Sequence, residues 1–137
     1  MRSADGFLIT PEGKVVDVNL PAEGDGFLDR VHELIHDETA QFIKSNIPGV
    51  LLLVADNGKL MGMEWNKAAS LLLPSFPHDV IVGNCLCFGE RGEDIVSLSS
   101  VARLVIRTRA QYAELAADIL MDAAETSPRP TEVQHEV

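Results

Sequence analysis

Basic residues are scarce in this chain. Eleven lysines and arginines face 21 aspartates and glutamates across 137 residues, for a formal net charge of −10 at pH 7. A surface of that sign repels phosphate backbones, so direct nucleic-acid binding is not expected. Long apolar runs are also missing. Val50 to Ala55 and Val80 to Cys87 are far too short to span a bilayer, and Met1-Arg2-Ser3-Ala4-Asp5 lacks the apolar core of a signal peptide. No membrane association and a cytoplasmic location are the resulting expectations. Cysteine is limited to Cys85 and Cys87. Two positions apart on one strand, they cannot close an ordinary disulfide without distortion, and with no second pair beside them they read as reduced core thiols, not a soft-metal site. No nucleophile elbow surrounds Ser97, Ser99 or Ser100, no Gly-rich loop leads from a strand into a helix, and no internal repeat is visible.

What remains is the pattern of one small domain. Gly6 to Thr10 and Val15 to Leu20 flank the turn former Pro11-Glu12-Gly13 and read as a hairpin. Phe27, Leu28, Val31, Leu34 and Ile35 then fall at the spacing of an amphipathic helix that Asp25 or Gly26 would cap. A strand is expected over Gln41 to Ile47. Val50 to Ala55 is a second, returning as Lys59 to Met63 through the Asn57-Gly58 signal of a type I′ turn. Trp65 to Leu73 predicts a short buried helix before Pro74 and Pro77 break the pattern. Residues 80 to 88 form the strongest strand, with Gly83 marking a bulge or a close backbone approach. Gly89 to Glu93 turns the chain into a short return strand over Asp94 to Ser97. Ser99 or Ser100 would cap a long helix to about Glu125, with Val101, Leu104, Val105, Tyr112, Leu115, Ile119 and Ala123 as its core stripe. Arg103 and Arg107 then lie on its solvent side. Its basic half precedes its acidic half, the reverse of what the helix dipole prefers. Residues 126 to 137 read as a disordered tail.

One short motif names a chemistry. His32-Glu33-Leu34-Ile35-His36 is the HExxH pentad, in which two imidazoles one helical turn apart hold zinc and the glutamate activates water. Several features count against it. Arg30, Asp37 and Glu38 crowd flanks that zinc peptidases usually leave uncharged, and Thr39 and Phe42 stand where an extended motif has glycine and a third histidine. Glu64 is the nearest third ligand by sequence distance, followed by His78, and neither sits in a ligand motif. The histidines also fall at the margin of the apolar stripe, away from the dry walls a catalytic metal uses.

The middle of the chain carries a resemblance. Asp56-Asn57-Gly58-Lys59, Asn66-Lys67-Ala68-Ala69, Ile81-Val82-Gly83-Asn84 and Asp94 to Leu98 follow one another as in an uncharacterised domain-of-unknown-function family of small bacterial and phage proteins, over about residues 14 to 100. Asn57 departs from the acidic residue that often precedes the turn glycine there. The resemblance implies a small α+β domain encoded near mobile elements, as an accessory or host-directed factor, and it supplies no reaction. Asn66 reads as a helix cap and Ala69 as a point of close helix approach. A functional alternative groups Trp65, Asn66 and Asn84 around a binding groove.

The expectation is therefore a single α+β domain over residues 1 to 125, a largely antiparallel sheet of hairpins with one face covered by the first helix and the long carboxy-terminal helix. Its expected role is that of a non-enzymatic accessory factor binding a protein partner, with no cofactor. The alternative is a zinc-dependent hydrolase with His32, His36 and Glu64 as ligands and Glu33 as general base.

Overall fold

A computed structural model describes residues 2–126. Six strands form an antiparallel sheet: β1 (Ser3–Ile9), β2 (Val15–Pro21), β3 (Ala40–Lys44), β4 (Val50–Ala55), β5 (Cys85–Arg91) and β6 (Asp94–Val96). The helices are α1 (Asp25–Ile35), α2 (Lys67–Ser70), α3 (Ser100–Gln111) and α4 (Ala113–Thr126). The order across the sheet is β2-β1-β5-β4-β3, and β6 shares with β1 one edge of β5. The fold is α+β, as expected. The expected tail, apart from Thr126, lies outside the described residues.

The sheet is covered on both faces, by different helices, where the sequence had suggested one. Alternation along the strands sends Leu51, Leu53, Leu86 and Phe88 toward α1, where Phe27, Val31 and Ile35 meet them. Leu52, Val54, Cys85 and Cys87 point the other way, to Ala68 and Ala69 of α2, Ala102 and Ile106 of α3 and Ala113 of α4. All six residues of β4 are consequently buried. Each wholly buried leucine here contributes roughly 1.5–3 kcal/mol of transfer free energy. The edge-to-face contact of Phe27 with Phe88, ring centroids 5.8 Å apart, fixes α1 on its face.

The cap of α1 is Gly24, not Asp25 or Gly26, and β3 and α2 are shorter than expected; three further local expectations fail for identifiable reasons. Lys59 to Met63 does not return as a strand but makes tight turns, with Met61 N–H on Asn57 O and Met63 N–H on Gly58 O. A type I′ turn needs positive φ at Asn57 and Gly58, and neither has it. Asn57 is held instead by Asp37 and Thr39, which accept from its backbone N–H (2.9 Å) and its side-chain amide (3.0 Å). Strand β5 begins five residues later than expected and absorbs Gly89 to Arg91, so the turn shrinks to Gly92-Glu93. The long terminal helix is two helices, interrupted at Tyr112 (φ −113°, ψ 8°), whose N–H bonds back to Arg109 O. Gly83 meets its expectation of close approach: it has φ +75°, and a Cβ there would lie 2.7 Å from Met63 Sδ.

Candidate functional site

Helix α1 carries only part of the pentad. His32 lies in its last turn, the helix ends at Ile35, and His36 caps it in the left-handed region at φ 59°, ψ 39°. That turn takes His36 off the i, i+4 row on which a HExxH pair must stand. A zinc pentad needs the helix to run through His36, and its end at Ile35 removes that support. Glu33 is tied to Arg30 at 2.6 Å and is exposed. Asp37, which follows His36, accepts from the backbone N–H groups of Thr39 (3.0 Å) and Asn57 (2.9 Å), which hold its carboxyl below the ordinary range. Glu64 lines a different groove, with Glu12, Trp65 and Lys67, away from the shallow depression bordered by His32, His36 and Met61. Among the described residues, no group of three or more His, Cys, Asp or Glu could hold a metal ion.

The three proposed groove residues do not share a groove. Asn66 is wholly buried. Its Oδ1 accepts from Ala69 N–H (3.1 Å) at the start of α2, and its Nδ2 donates to Ile9 O (3.0 Å) and Gly83 O (2.8 Å). The capping expectation holds, and the same amide also ties α2 to β1. Asn84 donates to Leu34 O at 2.9 Å, closing an open carbonyl of α1 on the opposite face of the sheet. Trp65 is half-buried, its Nε1 donating to Ser70 Oγ (3.1 Å) and its ring lying 5.1 Å below Lys67 Nζ. Each of the three serves the fold with its polar atoms.

Most of the predicted core stripe of the terminal helices faces solvent. Ala102, Ile106, Ala113 and Ala117 are buried, whereas Val101, Leu104, Tyr112, Leu115 and Ile119 are 56 to 72% exposed. Within each helix the two sets take different faces, Ala102 and Ile106 against Val101 and Leu104 in α3, and Ala113 and Ala117 against Leu115 and Ile119 in α4. The arginines assigned to solvent turn partly inward. Arg103 and Arg107 stack over the Phe7 ring at 4.5 and 4.6 Å and bond Asp17 at 2.5 and 3.3 Å. Asp17 stands opposite Phe7 in the β1–β2 register, so one carboxylate serves both guanidiniums. These tertiary contacts account for basic residues in the first half of the terminal segment. In the second half, Lys67 pairs Asp118 at 2.9 Å, and that bond raises the lysine's pKa.

Residues 3–111 match the family described as Domain of unknown function (DUF3846). The chain belongs to that family. No curated protein and no solved structure matches it. The DUF3846 match reaches further than the 14-to-100 span of the resemblance and ends at the last residue of α3, so α4 lies beyond it. Among the described residues, no helix is long and apolar enough to cross a membrane.

Sequence reasoning missed the outward face of this DUF3846 chain because the terminal segment contains two apolar stripes, one bulky and one rich in alanine. The bulkier was chosen for the core. The signal for the other choice was the neighbouring Ala68-Ala69, since small residues on facing helices permit close approach.

Proposed function

We propose that this chain is a non-enzymatic, cytoplasmic accessory factor of a phage or other mobile element, and that it acts by binding a protein through the outward face of α3 and α4. The observation that carries the reading is that face. Val101, Leu104, Tyr112, Leu115 and Ile119 leave more than half of their surface in water at helical spacing. Large contiguous apolar patches are rare on soluble domains without a binding role, and an aromatic at the centre of one is a favourable anchor. The net charge of −10 speaks against direct nucleic-acid contact. The mobile-element setting rests on the family resemblance alone.

The test is capture from the host with the intact protein and a Leu104→Glu, Leu115→Glu variant. Both positions are exposed, so the variant keeps its fold by circular dichroism. Saturable capture by the native protein that the variant loses supports the reading. Equal capture by both, or capture that salt abolishes entirely, removes the face from any role.

A further inference from the structure

We propose that the occupant of the α3–α4 face is a second copy of this chain, related by a two-fold axis at Tyr112 that sets α3 of each protomer against α4 of the other. This inference rests on the proposed binding role of that face and names its partner. The argument is charge complementarity along the stripe. Helix α3, SVARLVIRTRAQ, carries Arg103, Arg107 and Arg109 and no carboxylate. Helix α4, AELAADILMDAAET, carries Glu114, Asp118, Asp122 and Glu125 and no base. Taken at 100° per residue within each helix, Arg103 and Arg107 in α3 and Glu114, Asp118 and Glu125 in α4 border the apolar residues on the same side. In an antiparallel pair like flanks meet, so the basic flank of one copy's α3 runs along the acidic flank of the partner's α4.

A uniformly basic partner would match α4 and repel α3, and an acidic one would do the reverse. A second copy matches both halves at once. Their internal bonds leave part of each side chain at the rim: beside Asp17, Arg103 is 31% and Arg107 46% exposed, and beside Lys67, Asp118 is 49% and Glu114 87% exposed. Tyr112 lies near the middle of the stripe, between Leu104 and Leu115, where an isologous interface sets a residue against its own twin. Local pairing also offsets the repulsion between two chains of net charge −10.

Sedimentation of the intact chain over a range of concentration, with engineered cysteines for cross-linking, tests this. The native protein sediments as a dimer and L104E/L115E as a folded monomer. Tyr112→Cys cross-links to itself on mild oxidation, while Val101→Cys forms a heterodimer with Ala123→Cys, the position that the axis sets opposite it, and does not pair with itself. Cys85 and Cys87, both buried, do not interfere. Self-cross-linking of Val101→Cys would indicate a parallel arrangement and overturn the proposed geometry. A monomer at every concentration overturns the second copy. In that case a foreign protein captured by the native face and lost from L104E/L115E leaves the binding role standing, and equal capture removes both.

Discussion

Asn66 offers the sharpest test of how this fold is held, because one buried amide serves three backbone groups from separate parts of the chain. Asn66→Ala removes the cap on Ala69 N–H, worth about 1 kcal/mol. It also strips partners from the carbonyls of Ile9 and Gly83, each at roughly 1–3 kcal/mol when a buried group is left unsatisfied. The expected loss is on the order of 4 kcal/mol, a large share of the roughly 5–15 kcal/mol that holds a domain together. Asn66→Asp is worse: it keeps the capping oxygen but buries a carboxylate against two carbonyls that need a donor. Urea denaturation of the three proteins, followed by circular dichroism, measures the order. A loss under about 1 kcal/mol in the alanine variant, or an aspartate variant as stable as the native chain, refutes the structural account of this residue. Retained stability with lost partner capture would return Asn66 to the group of binding residues.

Further outcomes follow from the same contacts. Asp37 is held below its ordinary value of 3.8 by bonds from Thr39 and Asn57. Its contribution is therefore complete above the unfolded value and disappears as pH falls through the folded one. Asp37→Asn should lower the melting temperature at pH 7 and leave a shallower acid limb; an unchanged acid limb counts against the assignment. Zinc analysis of protein purified without a histidine tag should find no stoichiometric metal, and near-equimolar zinc lost in His32→Ala, His36→Ala would revive the hydrolase. Asp17→Ala releases Arg103 and Arg107 from β2 and should cost about 1 kcal/mol or less, the loss shrinking with added salt, as for an exposed ion pair. A large, salt-independent loss would mean that the stacking on Phe7 had failed as well.

Much of the architecture was legible in residue patterns. The hairpin of β1 and β2, the helix α1 and the cap at Asn66 followed from alternation, helical spacing and an asparagine at a helix start. The two-sided covering was legible too, though unused. Val50 to Ala55 and Cys85 to Phe88 do not alternate, and a strand without a polar side has no face to give to water. Other features depended on distant partners. Asn57-Gly58 carries a hairpin signal, but Asp37, twenty residues earlier, takes the Asn57 N–H. The inversion of the terminal helices depended on Ala68, Ala69 and Phe7, which give alanines and arginines better company than they give leucines. Periodicity identifies a helix's faces; it does not say which will turn inward when both are apolar.

The left-handed cap at His36 has a consequence for how this chain can change over generations. Among the described residues, His36 is the sole non-glycine with positive φ, where a Cβ crowds the following carbonyl. Glycine at that position would relieve about 1 kcal/mol of strain. Selection for folding alone therefore favours erasing the second histidine of the pentad. A lineage that retained it would be under some other demand.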